Sequence, residues 1–197
     1  MNKNDRIIKI ENLGFNPHVV YYHGTNKDIH EFIPSERGAL NYGIYMTNRP
    51  ETANSYASYS GIYNSPVVYP VHLRLKRGLD ANSYEKPFTK ESILNMLANH
   101  PDRNEEGFMG NMRIHAYADG KIGEDPLEHI ASKIANKTGL DAINFITDYN
   151  LYKTKKQAFE ELTKHTGYNH IVQDRGDGEK WISMWHPEDI RGIHAKF

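Results

Sequence analysis

The chain has 197 residues, of which 38% are hydrophobic and 25% are charged, a composition typical of one globular domain. Its formal net charge of -1 excludes a global electrostatic attraction to nucleic acid or to an acidic membrane surface. The absence of cysteine excludes disulfides, thiolate zinc sites and a cysteine nucleophile.

The amino-terminal stretch MNKNDRIIKIENLGF lacks the apolar core that a signal peptide carries. No run in the sequence approaches the roughly 20 apolar residues that a membrane-spanning helix needs. We therefore expect a soluble protein that acts in a cytoplasm and has no membrane partner.

Three segments in the amino-terminal part of the chain have the pattern of β-strands. VVYYHGT (19–25) is rich in β-branched and aromatic residues, and GIYMT (43–47) is a second short strand opened by glycine. VVYPVHLRLK (67–76) alternates, which predicts a half-exposed antiparallel strand. Pro70 predicts an edge position or a bulge within that strand, because proline has no N–H to donate.

Three segments in the middle of the chain have the apolar spacing of amphipathic helices. They are TKESILNMLANH (89–100), DPLEHIASKIANKTG (125–139) and TKKQAFEELTKHTG (154–167). Asp125 and Thr154 are the expected N-caps of the second and third helix, and Gly139 and Gly167 are their expected ends. The segment 105–125 has no clean period, so a long loop is predicted there.

Strand patterns return in the carboxyl-terminal part, in NHIVQD (169–174), KWISMW (180–185) and RGIHAKF (191–197). Strands at both ends with helices between them predict an α+β fold with a mostly antiparallel sheet. A single domain over 1–197 is expected, with a helical insertion at about 85–166. Because the chain returns to its first sheet only at the end, residues near 23 and near 180 are expected to be neighbours.

His23 and Gly24 stand at the end of the first predicted strand. A lone histidine in this position is most often a hydrogen-bonded structural residue. Gly24 favours a second interpretation, because a residue without a side chain exposes its N–H and C=O to a flat ligand that carries an amide. His23 would then offer a ring nitrogen to a sugar hydroxyl.

Tyr45 lies in the second predicted strand, and Tyr56 follows eleven residues later. The stretch PETANSYAS (50–58) predicts a short helix with Pro50 at or near its first position, so Tyr56 is expected on that helix. Paired aromatic residues commonly belong to a core. The alternative is that the two rings enclose a flat heterocycle from both of its faces.

The 11 histidines are scattered, with no HExxH motif and no close pair that has a third partner at ligand spacing. No metal site is expected. The sequence also lacks GxGxxG after a strand and lacks GxxxxGK[ST], so neither a Rossmann nor a P-loop nucleotide site is indicated.

Taken in order, these motifs resemble the ADP-ribosyltransferase superfamily. The likeness is to its diphtheria-toxin and poly(ADP-ribose) polymerase branch, of the His-Tyr-Glu type, and within that to small bacterial and phage domains. The matching stretches are YHGT, GIYMT followed by ANSYAS, VYPVHLRLKRGLD, and GYNHIVQDRGDGEKWISMWHPEDIRGI. The resemblance covers 19–80 and 167–193. It implies split antiparallel β-sheets around an NAD cleft, with a helical insertion between the N- and C-terminal strands.

The resemblance also implies roles for individual residues. His23 would hydrogen-bond the adenosine-side ribose of NAD, and Gly24 would bind the nicotinamide amide through its backbone. Thr25 would support the ribose or a phosphate. The rings of Tyr45 and Tyr56 would enclose the nicotinamide.

The loop PSERGALNYG (34–43) would cover the NAD, and Arg37 within it is a candidate contact for the pyrophosphate. The alternative for Arg37 is a solvated loop charge. The third catalytic position belongs, in that branch, to a glutamate on a late strand that hydrogen-bonds the nicotinamide-ribose 2′-OH. A carboxylate there stabilises the positive charge that develops as the glycosidic bond breaks.

Counting back without gaps from WHPEDI aligns Trp181 with that glutamate position. Glu179 lies two residues earlier, on the same face of the strand by alternation. We expect Glu179 to be the catalytic carboxylate after a small shift in register. The alternative is that Glu179 belongs only to the turn DRGDGEK and that the third position is not acidic.

The implied activity is NAD-dependent mono-ADP-ribosyl transfer to a macromolecular acceptor, either a protein or a nucleic acid, without a metal. The resemblance points to a bacterial or phage toxin, effector or defence protein, acting in the cytoplasm of the producer or of a target cell. A neutralising antitoxin or immunity protein is then a possible partner. Two alternatives stay open: an NAD glycohydrolase with water as acceptor, and a catalytically inactive module that binds NAD or ADP-ribose.

Overall fold

The computed structural model describes residues 3–59, 66–149 and 151–195. The chain divides into two compact units: the first comprises Met1–Ala81 and Asn169–Phe197, and the second is Asn82–Tyr168. The helices are α1 (Lys3–Asn12), α2 (Pro50–Ser58), α3 (Lys90–Ala98), α4 (Glu106–Ala118), α5 (Pro126–Ala135), α6 (Gly139–Asp148) and α7 (Lys155–Thr166). The strands are β1 (Tyr21–Thr25), β2 (Ile44–Thr47), β3 (Val67–Leu73), β4 (Arg77–Asp80), β5 (Tyr168–Gly176), β6 (Glu179–Met184) and β7 (Ile190–Gly192).

The strands form one sheet in the order β4-β5-β6-β2-β1-β3-β7. The pairings β1/β2, β1/β3, β2/β6, β3/β7 and β5/β6 are all antiparallel. The predicted α+β class is therefore confirmed. Strands from the amino-terminal and carboxyl-terminal parts of the chain meet in the middle of this sheet, since β6 pairs with β2 and β2 pairs with β1.

The sheet opens between β1 and β2. Their pairing consists of Tyr22↔Thr47 alone, whereas β1 pairs with β3 along all five of its residues. The predicted split of the antiparallel sheet thus lies inside one continuous strand order, at the point where β1 and β2 separate.

One face of the sheet carries the hydrophobic core of the first unit. Its buried side chains alternate along the central strands, as expected for a sheet with one covered face. They are Ile44, Met46, Val71, Leu73, Ile182, Met184 and Ile190. By the same alternation, Tyr45, Thr47 and Trp181 point to the opposite face.

Pro70 does not lie in a bulge, and β3 as a whole is not an edge strand. The pairing of β3 with β7 covers only Val71–Leu73, however, so Pro70 stands just beyond the strand-paired part of that side, and the predicted edge position is confirmed in part. The strand β3 runs between β1 and β7, and its register with β1 is unbroken from Val67 to Val71. The Pro70 carbonyl accepts a hydrogen bond from the Ile193 N–H at 3.1 Å, so the Pro70 backbone faces the β7 side. Proline has no N–H to donate to the Ile193 carbonyl. That carbonyl accepts a hydrogen bond from the Arg6 guanidinium instead.

The second unit contains α3 to α7, and its predicted caps are largely confirmed. The Asp125 side chain accepts from the Leu127 N–H, and the Thr154 side chain accepts from the Gln157 N–H. Gly167 ends α7 in the left-handed conformation, with φ 76°.

Two predictions in the second unit are wrong. The segment predicted as a long loop contains α4, which buries Phe108, Met112 and Ala116 at a spacing of four residues. Exposed apolar residues, among them Ile114 and Tyr117, lie off this stripe and hide its period in the sequence.

The second wrong prediction is that Gly139 ends a helix. The helix α5 already ends at Ala135, and its C-cap is Asn136. Gly139 instead begins α6 with φ 45°, a conformation that glycine adopts without strain. In the ranges that the structure describes, no helix is long and apolar enough to cross a membrane.

Candidate active site

A cavity of about 300 Å³ lies in the first unit where β1 and β2 separate. Its walls come from β1, the loop before β2, β2 itself, α2 and β6. This volume is at the lower end of the range for small-molecule sites, about 300–1,000 Å³. The face of the sheet that carries Tyr45 and Trp181 thus has a concave site as well as a helix against it.

His23 bridges the opening between β1 and β2. Its Nδ1–H donates to the Tyr45 carbonyl oxygen at 2.8 Å, because a carbonyl oxygen can only accept. Its Nε2 is then the ring nitrogen that keeps a lone pair. Burial lowers the pKa of His23, and the hydrogen bond to Tyr45 opposes that shift without reversing it. The ring is therefore neutral at pH 7 and carries one donor and one acceptor.

The backbone of Gly24 faces the same opening. Pro70 turns its backbone groups towards β7, so its partner in β1, Tyr22, turns its own N–H and C=O away from β3. Backbone groups alternate along a strand, so those of Gly24 also point away from β3, towards β2. The β2 residue that would continue the ladder there is Tyr45, whose carbonyl His23 already occupies.

Gly24 is a glycine for a second reason, which the sequence does not reveal. A Cβ at this position would lie 1.8 Å from the Ala53 carbonyl oxygen in α2. Because Gly24 has no side chain, α2 can pack directly against it. Because Tyr45 does not pair with Gly24 in the sheet, the backbone N–H and C=O of Gly24 are exposed. The two effects act on different sides of the same residue.

The Tyr45 hydroxyl is held by the loop before β2. The Leu40 N–H donates to the Tyr45 Oη at 3.1 Å, and a Cβ on Gly38 would lie 2.2 Å from that oxygen. An antiparallel bridge between Ser35 and Gly43 closes the base of the loop. Burial raises the pKa of Tyr45, so its phenol stays protonated. The loop before β2 thus fixes one wall of the cavity.

Tyr56 lies on α2 and lines the cavity together with Tyr45. Its side chain is 57% exposed, and its ring meets the Trp181 ring edge to face at 5.7 Å between centroids. Tyr56 is therefore not a core residue, and its ring is accessible at the mouth of the cavity.

Trp181 lines the cavity and Glu179 stands beside it. Both side chains point to the same face of β6, as alternation predicts. The Trp181 Nε1–H donates to Glu179 Oε1 at 2.8 Å, and the Thr52 hydroxyl donates to the same oxygen at 2.8 Å. These two hydrogen bonds, first that of Trp181, hold the pKa of Glu179 below its ordinary value. Glu179 is thus an ionised carboxylate one hydrogen bond away from two cavity-lining side chains.

Arg37 also lines the cavity, from the loop before β2. Its backbone is bonded in both directions to the Ser35 hydroxyl, and within the described residues its guanidinium has no partner. Thr25 is not among the lining residues and pairs with Val67 in β3. His23, Gly24, Arg37, Tyr45 and Tyr56 are brought together at one cavity.

Thr52 was not expected from the sequence. It lies in the first turn of α2, two residues after Pro50. A threonine at this position of a helix does not by itself indicate a functional role. Its importance follows only from the packing of α2 against the end of β6. Across the three described ranges, no cluster of three or more histidine, cysteine or acidic residues could hold a metal ion.

The sheet is thus opened between two strands, and a neutral histidine, a backbone amide and two tyrosines stand together at the opening. The family described as "ADP-Ribosyltransferase in polyvalent proteins" matches residues 16–196, and the chain belongs to this family. ADP-ribosyltransferases use NAD as substrate and pass ADP-ribose to an acceptor, so the chain is a transferase of this class. No curated protein and no solved structure matches the chain.

Proposed function

We propose that this protein is a mono-ADP-ribosyltransferase that takes NAD as its substrate and modifies a macromolecule. The observation that carries the proposal is the pairing of His23 with the Tyr45 carbonyl. This hydrogen bond takes up the acceptor that would otherwise pair with β1, and it leaves the N–H and C=O of Gly24 facing the cavity. A carboxamide has the complementary acceptor and donor.

In this proposal the nicotinamide lies between the rings of Tyr45 and Tyr56, with its amide on the Gly24 backbone. The His23 Nε2 accepts a hydrogen bond from a ribose hydroxyl on the adenosine side. The Arg37 guanidinium faces the pyrophosphate, which it suits because a guanidinium binds phosphate oxygens in a bidentate manner. Thr25 acts from the neighbouring position in β1, as a support for the ribose or a phosphate.

The reaction breaks the bond between the nicotinamide nitrogen and the ribose C1′, and nicotinamide leaves with the electron pair. Positive charge develops on the ribose, in an oxocarbenium-like transition state. The Glu179 carboxylate accepts a hydrogen bond from the 2′-hydroxyl and stabilises that charge. A nucleophile of the acceptor then bonds to C1′ and loses its proton. The products are nicotinamide, a proton and the ADP-ribosylated acceptor.

The Glu179 carboxylate lies at the edge of the cavity. This position favours the transfer of single ADP-ribose units over the growth of a poly(ADP-ribose) chain. Trp181 is the side chain of β6 that lines the wall, and Glu179 lies beside it. We take chain elongation to need an acidic residue set directly in the wall. The likeness to small bacterial and phage domains supports a toxin, effector or defence role in a cytoplasm, with a neutralising antitoxin or immunity protein as partner.

The presence of Trp181 in the cavity wall also favours one rival, a module that binds NAD or ADP-ribose without reacting. The rival predicts binding without nicotinamide release and no effect of Glu179→Gln. An NAD glycohydrolase, the other alternative, predicts nicotinamide release with water as the only acceptor.

The proposal is tested by incubating the protein with NAD labelled in the adenosine and with cell lysate, followed by separation of protein from RNA and DNA. Transfer of label is expected into one of these fractions, which also identifies the acceptor class. His23→Ala and Tyr45→Ala should abolish the transfer.

Tyr56→Ala and Tyr59→Ala are the matched pair, since Tyr56 on α2 and Tyr59 at its C-cap are both exposed, and of the two only Tyr56 lines the cavity. Tyr56→Ala should reduce transfer strongly and Tyr59→Ala should not. Release of nicotinamide without label transfer supports the glycohydrolase. Equal loss in the two tyrosine variants contradicts the proposed pocket.

A further inference from the structure

Two hydrogen bonds from different elements converge on one oxygen of Glu179. Trp181 donates from β6 and Thr52 donates from α2, each at 2.8 Å to Oε1. A carboxylate held by two donors on one oxygen has lost most of its rotational freedom. Within the described residues, the second oxygen, Oε2, has no partner and remains available to accept.

We propose that Trp181 and Thr52 are positioning residues that aim the free oxygen of Glu179 at the sugar beside the bond that breaks. The proposal rests on the proposed function. In this proposal Glu179 and Trp181 are not rivals for the third position, because their side chains act together through one hydrogen bond. Trp181 supplies the cavity wall and the hydrogen bond, and Glu179 supplies the charge.

The Trp181 ring is itself held from two sides. The Arg175 guanidinium lies over the ring, 4.2 Å from its centroid, and Tyr56 meets the ring edge to face. Arg175 is on β5, which pairs with β6 through Gln173↔Trp181. The orientation of the indole N–H is therefore set by residues of β5 and α2 as well as by β6.

The start of α2 is tied to the same hairpin. The Arg49 guanidinium donates to the Asp177 carbonyl in the turn between β5 and β6. Asn48 bonds both the Lys180 N–H and the Gly178 carbonyl, each at 2.8 Å. Thr52 therefore keeps a fixed distance from the end of β6, which its hydrogen bond to Glu179 requires.

The charged groups that act on Glu179 from the elements packed against it are cationic. They are Arg49, just before α2, and Arg175, on β5. Both favour the ionised form, as the two hydrogen bonds do. Glu179 is thus an acceptor at neutral pH, which suits a group that binds a hydroxyl and stabilises positive charge. It does not suit a group that protonates a leaving group.

The test uses Trp181→Phe and Thr52→Val, each of which removes one donor and keeps most of the side-chain volume. Each should lower kcat for nicotinamide release by about tenfold, the cost of one charge-assisted hydrogen bond, with KM for NAD changed by less than about twofold. The acid limb of the pH–rate profile should move to higher pH, because the carboxylate loses stabilisation. Thr52→Ser keeps the hydroxyl and should retain most of the activity.

Lys180→Gln is the control, since Lys180 lies between the two residues in β6 and points to the other face. It should leave kcat and the pH profile unchanged. The proposal is overturned if Trp181→Phe and Thr52→Val behave like Lys180→Gln.

A second measurement separates this proposal from the proposed function. The pKa of the Glu179 carboxyl, followed by ¹³C NMR without NAD, should rise in Trp181→Phe and in Thr52→Val and stay constant in Lys180→Gln. If the wild-type protein releases no nicotinamide, the proposed function fails, and this titration still decides whether the two residues hold the carboxylate. A pKa that does not move in either variant contradicts the positioning role.

Discussion

The ring of His23 donates its Nδ1–H to the carbonyl oxygen of Tyr45 at 2.8 Å, at the point where β1 and β2 part. A side chain thus replaces the ladder hydrogen bond that a continuous sheet would make there. The sheet stays connected through Tyr22↔Thr47, while the backbone of Gly24 is left facing a cavity. This contact lies at the opening of the sheet, next to the cavity.

The variant His23→Phe keeps a ring against Phe32, which packs edge to face on His23 at 5.5 Å, and removes the N–H. The Tyr45 carbonyl then loses its partner, which should cost about 1–3 kcal/mol of unfolding free energy. NAD binding should be lost as well, because the variant also lacks the Nε2 that accepts a hydrogen bond from the ribose hydroxyl in the proposed complex. Urea unfolding and calorimetric titration with NAD measure the two effects.

His72→Phe is the matched control for His23→Phe. The His72 ring also donates its Nδ1–H to a backbone carbonyl, that of Val19, at 3.0 Å, and His72 is not among the cavity-lining residues. It should lose a similar amount of stability and retain NAD affinity. Loss of NAD affinity in both variants would show that a general loosening of the sheet, rather than the opening at Tyr45, controls binding.

Gly24→Ala should displace α2, because its Cβ would lie 1.8 Å from the Ala53 carbonyl oxygen. We expect a loss of about 1–3 kcal/mol of unfolding free energy, and a loss of NAD affinity of about tenfold or more. Gly192→Ala is the control, since a Cβ there meets nothing within 4 Å. Thermal unfolding and NAD titration of the two variants give the comparison, and equal effects would contradict the role of the close approach.

Gly38→Ala should move the loop before β2 away from Tyr45, because the added Cβ would lie 2.2 Å from the Tyr45 hydroxyl. Gly38 has φ 153°, so a strain of about 1–3 kcal/mol accompanies the clash. Gly123→Ala is the control for backbone strain without a clash, since Gly123 has φ 87° and an added Cβ there would have open space around it. KM for NAD should rise in Gly38→Ala only.

His170 should make the first unit sensitive to acid. Burial lowers the pKa of His170 to about 4, below the ordinary value of 6.5, and the nearby Asp189 opposes that shift without reversing it. The unfolded chain then binds more protons between those values, so stability is complete above about pH 6.5 and falls as the pH falls towards 4. The contribution is at most about 3 kcal/mol.

Unfolding free energies of wild type and His170→Gln, measured by urea from pH 4.5 to 7.5, test this dependence. Glutamine keeps a donor for Asn169 Oδ1, which the His170 ring contacts at 2.8 Å, and has no titrating group. The difference between the two proteins should shrink as the pH falls. Parallel curves would assign the acid sensitivity to other groups.

Much of the site could be predicted because its residues follow one another in short motifs. His23 and Gly24 are adjacent, Tyr45 and Tyr56 are eleven residues apart on the consecutive elements β2 and α2, and all four line one cavity. The helix start at Pro50 and the stop at Gly167 follow from local geometry that these residues impose. Local rules of this kind do not depend on the rest of the fold.

The parts that could not be predicted depend on contacts between distant segments. Thr52 reaches Glu179 across 127 positions of sequence, and the Ile193 carbonyl beside Pro70 accepts a hydrogen bond from Arg6, 187 positions away. The helix α4 was missed because apolar side chains such as Ile114 lie on its exposed face. In the first two cases the cause lies in a distant segment of the chain, and in the third it lies in which residues of the helix the fold buries.

The measurement that tests the account most directly is a crystal structure of Glu179→Gln with NAD, since this variant should bind NAD and turn it over slowly. We predict that the carboxamide of the nicotinamide pairs with the N–H and C=O of Gly24, and that the ring lies between Tyr45 and Tyr56. The His23 Nδ1 should still bond the Tyr45 carbonyl. An NAD bound elsewhere, or no NAD in this cavity at saturating concentration, would contradict the account.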